Sequence, residues 1–278
     1  MTHIILPSDF SDNAWKAMSY AANLYHNTPC KFHILNTYSL NTAYAGTGGV
    51  YIEIDPEFAS KESEKQLAHL LEQFKDLDHH KLSEFETKSN YGAVIVAIQN
   101  LEEELDSTPI IIMGTRGAFG VGKYFFGTTA SSAIKRCVSP VICVPKQANL
   151  GTPKSILFAM DDLIISSKNE IEPLIELAQQ WDSKIATIHV AGSEKETTDK
   201  TTEEIVSEHY LNQIEHTYKT IPGDNIEDEL MRFAKANEID LIALIKRDQG
   251  FWNNFFQTSL AESMSFYSQI PLLVLKEA

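Results

Sequence analysis

The chain has 278 residues, about twice the commonest size of a single domain, so two domains are the first expectation. Hydrophobic residues make up 43% of it and charged residues 22%, which is typical of a globular protein and unlike a disordered chain. Acidic residues number 38 against 23 basic residues, and the formal charge of −15 repels nucleic-acid phosphates and anionic lipid headgroups. Composition therefore argues against nucleic acid and membrane surfaces as partners.

The cysteines and the amino terminus indicate a cytoplasmic protein. Cys30, Cys137 and Cys143 form neither a disulfide framework nor a zinc-binding spacing, and we expect the last two to be buried packing residues. The first strand-like run reaches Pro7 and Asp9 before a signal-peptide core could form, and no apolar run approaches the roughly 20 residues of a membrane span.

The second half of the sequence repeats the first. Four short apolar segments recur in the same order, at an offset of 152 residues for the first pair and 131 for the last. We place the additional residues of the first copy between Leu40 and Asp55, and the boundary between copies at 147–153, which predicts domains 1–147 and 153–278. The pairs are His3–Asp9 with Ser155–Asp161, Ile34–Thr37 with Thr187–Val190, Pro109–Met113 with Asp240–Leu244, and Pro140–Val144 with Pro271–Leu275.

Each copy alternates continuous apolar runs with amphipathic stretches. This pattern is typical of parallel strands that are buried on both faces and connected by helices, and it predicts a doubly wound α/β fold. The predicted helices are Asn13–Tyr25, Lys61–Phe74, Val94–Leu105, Ile171–Trp181, Ile205–Ile214 and Ile226–Ala236.

The segment Gly114–Thr129 is the most informative part of the chain for function. It follows the apolar run Ile110–Met113, at the carboxyl end of a predicted strand, where open α/β sheets bind ligands. Glycines let backbone N–H groups approach an anion, and a helix that begins at Thr128 favours phosphate at its amino terminus. The segment therefore has the composition of a phosphate cradle.

Three interpretations of this segment compete. A Walker A loop fits Gly117, Gly122 and Lys123, but Tyr124 stands where the Mg²⁺-binding Ser or Thr is required. A glycine-rich surface turn without a ligand is the second interpretation. In the third, the spacing Gly114-x2-Gly117-x9-Gly127-Thr128 resembles the nucleotide signature G-x2-G-x9-G-[ST] of the universal stress protein family.

The resemblance extends over the whole first copy. Ile5–Ala14 looks like that family's opening strand and turn, Gly92–Ile98 like its third-strand exit into a helix, and Pro140–Val144 like its last strand. Because the second copy has a similar pattern, the chain looks like a tandem universal stress protein. The resemblance implies two mainly parallel five-stranded sheets with helices on both faces, and a stress-response protein that binds ATP, with or without Mg²⁺.

Carried over by position, the resemblance implies a set of nucleotide-binding residues. Thr37 departs from the family, which usually has an apolar residue there. Asp9 has a second interpretation, as the cap of the following helix, although the glycine loop favours the ligand role. The residues expected against adenosine are Pro7, Asp9, Thr37, Met113 and Gly114, and those expected against phosphate are Gly117, Gly127, Thr128 and Thr129.

The second copy lacks the three glycines. An offset of 131 residues puts Ile245, Asp248 and Thr258 at their positions. An aspartate there repels phosphate, and residues 151–278 carry a net charge of −11 against −4 for residues 1–150. We therefore expect one nucleotide per chain, held by the first copy, and a second copy that serves interactions.

Three functions stay open at this point. No general base, nucleophile or carboxylate pair is apparent near the glycine loop, so no catalytic residue is assigned. The chain is a regulatory ATP-binding protein with an unidentified protein partner, a nucleotide-independent interaction module, or a slow ATP-hydrolysing enzyme. The resemblance also implies that the last strands, Val141–Pro145 and Leu272–Lys276, meet in an intramolecular pseudo-dimer, which leaves homodimerisation open.

Overall fold

The strands of the protein form one large sheet and one small hairpin. The computed structural model describes residues 1–39, 43–45, 50–52, 55–77, 82–115, 127–160, 165, 167–191, 209–222, 226–247 and 269–277. The strands of the first half are β1 (Thr2–Pro7), β2 (Cys30–Tyr38), β3 (Ala43–Ala45), β4 (Val50–Ile52), β5 (Glu84–Tyr91), β6 (Ile110–Gly114) and β7 (Val141–Val144). Those of the second half are β8 (Ser155–Met160), β9 (Lys184–Ala191), β10 (His216–Pro222), β11 (Leu241–Lys246) and β12 (Leu272–Lys276).

Ten strands form the large sheet, in the order β10-β9-β8-β11-β12-β7-β6-β1-β2-β5. Each half contributes five strands that are parallel to one another, and the only antiparallel pair within this sheet of described strands is β12 with β7. The predicted doubly wound fold is confirmed. The two predicted five-stranded sheets are joined edge to edge into a single sheet.

Helices cover both faces of this sheet, as predicted. Helices α1, α2 and α5 pack on one face and α3, α4 and α6 on the other. Alternate side chains of each strand point to opposite faces, so each strand contributes to both hydrophobic cores. The helices are α1 (Asp12–Leu24), α2 (Pro56–Lys75), α3 (Val94–Glu104), α4 (Thr128–Arg136), α5 (Glu172–Trp181) and α6 (Ile226–Ala236).

The helix that follows the insertion of the first half begins earlier than predicted. Strands β3 and β4 pair as an antiparallel hairpin, and α2 begins at Pro56, earlier than the predicted Lys61. The reason is a local start signal, since Asp55 accepts a hydrogen bond from the Glu57 N–H at 3.0 Å and proline suits the first turn of a helix. The first part of the predicted helix Ile205–Ile214 lies outside the described residues.

The two halves meet at the pairing of β7 with β12. Ile142 lies opposite Leu273 and Val141 opposite Val274, and all four side chains are buried. The predicted contact between Val141–Pro145 and Leu272–Lys276 is therefore confirmed. Four hydrophobic residues at the join give each half a neighbour in place of an open sheet edge.

Polar contacts across this join end on helices of the first half. At the carboxyl end of α4, Lys276 Nζ donates to the Ile134 carbonyl oxygen at 2.6 Å. The Leu24 carbonyl oxygen at the end of α1 accepts from Gln180 Nε2 at 2.6 Å and from Trp181 Nε1 at 3.1 Å. Donors at a helix carboxyl end satisfy carbonyl groups that have no partner within the helix.

The three cysteines are buried and form no disulfide. Burial raises the pKa of the Cys137 and Cys143 thiols to about 12, which keeps both protonated at neutral pH. They act as small packing residues, as expected. Among the helices of the described residues, none has both the length and the apolar character that crossing a membrane requires.

The buried amine of Lys276 predicts a pH dependence of stability. Burial lowers its pKa from 10.5 to about 8, so between these values the unfolded chain holds a proton that the folded protein has released. Stability therefore rises with pH in this window. We expect the unfolding free energy of the wild type, minus that of Lys276→Met, to increase by up to about 1.4 kcal/mol per pH unit between pH 8 and 10, measured by urea denaturation.

A matched variant controls for this measurement. Lys184 has a side chain that is 67% exposed and pairs with Glu215, so Lys184→Met removes a lysine that is not buried. We expect no rise with pH in the corresponding difference. A flat profile for Lys276→Met as well would contradict the buried position of the amine.

Candidate functional site

The strand order of the first half reverses between β1 and β6, and this topology places a ligand crevice, the β1–β6 crevice, outside the carboxyl ends of these strands. Strand β1 lies between β2 and β6 in the sheet. Open α/β sheets bind ligands beyond the carboxyl ends of the strands where the strand order reverses in this way. Ile4 lies opposite Ile110 and Ile5 opposite Ile111, so Pro7 and Met113 reach the edge at the same level. The residues that directly follow these strands, Ser8 and Thr115, therefore lie at the same edge of the sheet.

The turn between β1 and α1 forms one side of the crevice. The Ser8 N–H donates to the Leu35 carbonyl oxygen at 2.8 Å, and the Phe10 N–H donates to Ser8 Oγ at 3.2 Å. Phe10 has φ of 61°, in the left-handed region, which reverses the chain sharply before α1. Asp9 is exposed at the tip of this turn.

The carboxylate of Asp9 supports the start of α1 without capping it. Ser11 is the N-cap, because its hydroxyl oxygen accepts from the Ala14 N–H at 3.2 Å. Asp9 Oδ1 in turn accepts from the Ser11 N–H at 3.1 Å and from Ser11 Oγ at 2.5 Å. The two interpretations of Asp9 therefore overlap, since an exposed carboxylate also helps to hold the helix cap.

The start of α4 forms the other side of the crevice. The Gly127 N–H donates to the Thr115 carbonyl oxygen, and the Thr115 N–H donates to the Val144 carbonyl oxygen at 3.1 Å. These bonds hold the first turn of α4 beside the ends of β6 and β7. Thr128 and Thr129 are exposed there, and the first N–H groups of a helix have no partner within it.

Gly114 is required by a close approach between β6 and α1. A Cβ atom at this position would lie 2.5 Å from Asn13 Nδ2 and 2.9 Å from the Asn13 carbonyl oxygen. Real Cβ atoms do not come so close to backbone, so only glycine lets α1 pack here. The packing of α1 against β6 explains this glycine without a ligand.

The structure brings most of the predicted nucleotide-binding residues to this edge of the sheet. Pro7 and Met113 are buried near the strand ends, Thr37 is half-buried beside them at the end of β2, and Gly127 begins α4. Asp9, Gly114, Thr128 and Thr129 lie in the segments described above. Gly117 lies outside the described residues.

Sequence analysis missed a chain of buried polar side chains next to this site. Asn36 Nδ2 donates to the Ser8 carbonyl oxygen at 2.7 Å, and Ser63 Oγ donates to Asn36 Oδ1 at 2.7 Å. Ser89 Oγ donates to Ser63 Oγ, also at 2.7 Å. The available signals were an asparagine within an apolar strand and a serine on the apolar face of α2.

At the corresponding edge of the second half, next to the end of β11, lies a buried ion pair. Arg247 follows β11 directly, and its guanidinium lies 3.3 Å from Glu170 Oε2 and 3.3 Å from Glu277 Oε1. The Arg247 side chain is 3% exposed and that of Glu170 is 0% exposed. Of the three residues at the glycine positions, Ile245 is buried in β11, while Asp248 and Thr258 lie outside the described residues.

The part of the chain that the structure describes holds no group of three or more His, Cys, Asp or Glu side chains arranged to bind a metal ion. Any divalent cation at the β1–β6 crevice would therefore need ligands from a bound molecule or from residues outside this part. The groups that the described residues offer there are backbone amides, threonine hydroxyls and one carboxylate, Asp9.

Comparison with known proteins assigns the family. Residues 1–145 match the universal stress protein family. The chain belongs to this family. No curated protein matches it.

Solved structures share the fold over the whole length of this universal stress protein. A universal stress protein from Archaeoglobus fulgidus is 20% identical, with a TM-score of 0.72 over 99% of this chain and 96% of its own. A putative universal stress protein from Pseudomonas aeruginosa UCBPP-PA14 is 14% identical, with a TM-score of 0.60 over 99% and 93%. A functionally unknown protein from Pseudomonas aeruginosa PAO1 is 13% identical, with a TM-score of 0.60 over 100% and 93%.

The contact of Gly114 with Asn13 predicts the effect of a single added methyl group. We expect Gly114→Ala to lower the unfolding free energy by about 1–3 kcal/mol, because the backbone of α1 must move to admit the Cβ atom. Urea denaturation measures this loss. Gly151→Ala is the control, since its Cβ atom would meet nothing closer than 3.5 Å. Equal stability of both variants would show that α1 and β6 are less tightly packed than described.

Proposed function

We propose that this universal stress protein is a regulatory ATP-binding protein of the stress response. One nucleotide binds in the first half, at the crevice between β1 and β6, and the second half serves interactions with an unidentified protein. The observation that carries the proposal is the Gly127–Thr115 hydrogen bond, because it holds the amino terminus of α4 at the end of β6, the strand next to β1. Membership of the family supports the stress-response role.

The two sides of the crevice suit the two parts of a nucleotide. On the β1 side, Pro7 and Met113 supply apolar surface and Asp9 supplies a carboxylate that is suited to ribose hydroxyl groups. On the α4 side, the first N–H groups of the helix, which have no partner within it, supply donors for phosphate together with Thr128 and Thr129. We propose that adenosine lies against the first side and the phosphates against the second.

The charges along α4 are compatible with an anion at its start. Lys135 and Arg136 occupy the last turn, where cations interact favourably with the helix dipole, and no acidic residue stands in the first turn. A helix of this kind often has an aspartate or glutamate near its start. Here that position is left to glycine and two threonines, which leaves the positive end of the dipole available to a bound phosphate.

The second half lacks the corresponding binding features. The Arg247–Glu170 pair occupies the region next to the end of β11, and separating these two buried charges would cost free energy. The Glu170 carboxylate would also repel a phosphate brought to this region. We therefore propose that the second half binds no nucleotide.

A catalytic role has less support among these residues. Asp9 supplies a carboxylate at the crevice, and this carboxylate already accepts from the Ser11 N–H and hydroxyl. Hydrolysis of ATP needs a group that orients an attacking water and a second group that stabilises the transferred phosphoryl group. We assign no residue to either task.

Calorimetric titration with ATP tests the proposed stoichiometry. We expect about one site per chain, because only the first half combines the open crevice with the glycine motif. A stoichiometry near two would contradict the closed second half. Absence of binding, together with no nucleotide released from the purified and denatured protein, would favour a nucleotide-independent interaction module.

Gly127→Glu tests the phosphate side of the crevice. Gly127 has φ of −66° and ψ of 165°, which any residue can adopt, and an acidic residue at the start of a helix favours the helix. The variant should therefore stay as stable as the wild type while its charge repels phosphate. We expect the Kd for ATP to rise by more than about tenfold, or about 1.4 kcal/mol, in calorimetry.

Gly151→Glu is the matched control for this variant. It adds the same charge and side chain at an exposed position between the halves, away from the crevice. We expect its Kd for ATP to equal that of the wild type. An unchanged Kd for Gly127→Glu would refute the assignment of α4 to phosphate.

A further inference from the structure

We propose that Asn36 is a positioning residue of the nucleotide site and that helix α2, through the hydroxyl of Ser63, anchors its side chain. The inference rests on the proposed function, because the turn that Asn36 holds is the one assigned to adenosine. Neither residue belongs to the set that the family resemblance implies. An unbroken series of hydrogen bonds runs from β5, through α2 and β2, to the β1–α1 turn.

All three hydrogen bonds of this series donate in the same direction, from β5 toward the β1–α1 turn. Ser89 Oγ donates to Ser63 Oγ, Ser63 Oγ donates to Asn36 Oδ1, and Asn36 Nδ2 donates to the Ser8 carbonyl oxygen, each at 2.7 Å. A serine hydroxyl has one proton to donate, and Ser63 uses it on Asn36 while accepting from Ser89. Every group in the series therefore has a complementary partner.

The Ser8 carbonyl oxygen, which can only accept, requires the nitrogen end of the Asn36 amide to face the turn, and the Ser63 hydroxyl holds the amide there from its oxygen end. An amide offers an acceptor oxygen and a donor nitrogen, and only the nitrogen can bond to a carbonyl oxygen. Because Ser63 donates to Oδ1, it holds the oxygen toward α2 and leaves Nδ2 pointing at Ser8. Asn36 is 7% exposed and Ser63 5% exposed, so water does not readily replace either partner.

Asn36 completes the attachment of Ser8 to β2. The Ser8 N–H already donates to the Leu35 carbonyl oxygen, so both polar backbone groups of Ser8 are bonded to neighbouring residues of β2. The chain is free to reverse only after this point, at Phe10, and Asp9 lies between the two. The position of the Asp9 carboxylate therefore depends on the Asn36 bond.

The second half provides a comparison at the same register. Pro7 lies opposite Leu35, which sets Ser8 level with Asn36, and in the second half Met160 lies opposite His189. An imidazole thus stands where the first half has the amide. The half that we propose to be inactive lacks the Asn36 side chain that holds the turn in the first half.

The attachment to α2 gives the insertion of the first half a role at the site. Helix α2 follows the β3–β4 hairpin, which belongs to the additional residues of the first copy. A displacement of α2 would move the Ser63 hydroxyl away from Asn36 and release the amide. Occupancy of the β1–β6 crevice and the position of α2 are therefore coupled.

Three substitutions on α2 test the proposal. Ser63→Ala removes the hydroxyl and Ser63→Thr keeps it. Ser60→Ala makes the same change one turn earlier, where the Ser60 hydroxyl donates to Glu64 Oε1 on the exposed side of the helix. We expect Ser63→Ala to raise the Kd for ATP about tenfold, and the other two variants to stay within about twofold of the wild type. Calorimetry at a temperature well below the unfolding transitions of all variants provides the values.

A second measurement does not depend on nucleotide. Amide hydrogen exchange in the segment Ser8–Ser11 reports directly on the attachment of the turn. We expect faster exchange there in Ser63→Ala than in the wild type or in Ser60→Ala. A purely structural role of Ser63 would lower the melting temperature and leave both the exchange of this segment and the relative Kd unchanged.

The variant Asn36→Asp tests the donor role of Asn36 through the pH dependence of ATP binding. An ionised carboxylate cannot donate to the Ser8 carbonyl oxygen, whereas a protonated one can. We expect the ratio of its Kd for ATP to that of the wild type to fall as the pH is lowered from 8 to 5.5. A ratio that does not change with pH would argue against the donor role of Asn36.

The outcomes separate this inference from the proposed function. If the wild type binds ATP but Ser63→Ala binds it equally well, or if Ser60→Ala weakens binding as much, the positioning role is overturned and the proposed function stands. If the wild type binds no adenine nucleotide, both are overturned. A loss confined to Ser63→Ala and Asn36→Asp, with Ser63→Thr near the wild type, supports the inference.

Discussion

The pairing of β7 with β12 is the interaction on which the rest of the architecture depends. It is antiparallel, and the strands within each half are parallel, so the two halves run in opposite directions across a single sheet. The carboxyl ends of β1 and β8 consequently face opposite edges. The crevices of the two halves are therefore separate, and each can differ from the other without steric conflict.

Within the first half, the position of β1 between β2 and β6 determines the site. Helices α1 and α4, which follow β1 and β6 in the chain, pack on opposite faces of the sheet, and a crevice is expected between their starts. Two close contacts fix its shape. Gly114 lets α1 approach β6, and the Gly127–Thr115 hydrogen bond ties α4 to the same strand. Both helices then end on groups of the second half, at Trp181 and Lys276.

The sequence predicts those features that depend on local pattern. Continuous apolar runs predicted buried parallel strands, and helical spacing located α1, α3, α5 and α6 to within a few residues. The edge-to-edge join was expected from two apolar last strands and from the family resemblance. The start of α2 was placed too late, because the cap formed by Asp55 and Pro56 has no apolar period and was assigned to the insertion.

The side-chain contacts were beyond the reach of these patterns. Glu170 and Arg247 are 77 residues apart in sequence, and only the folded sheet brings the segment before α5 next to the end of β11. Asn36 and Ser63 each resemble an isolated polar residue in an apolar segment. Their pairing depends on the angle at which α2 crosses β2, which sequence periodicity does not encode. Likewise, the need for glycine at Gly114 arises from α1 and not from the glycine motif.

Joining the halves in one chain changes how their association responds to dilution. Separate subunits that met through their last strands would dissociate at low concentration, in proportion to their affinity. Here a connection of about ten residues between β7 and β8 keeps the partner strands at a high effective concentration, so the ten-stranded sheet persists at any protein concentration. Because both halves are encoded in one chain, their sequences can also differ from each other. One half can accumulate acidic residues and close its crevice with an ion pair, while the other keeps an open one, which no symmetric dimer of a single gene product can do.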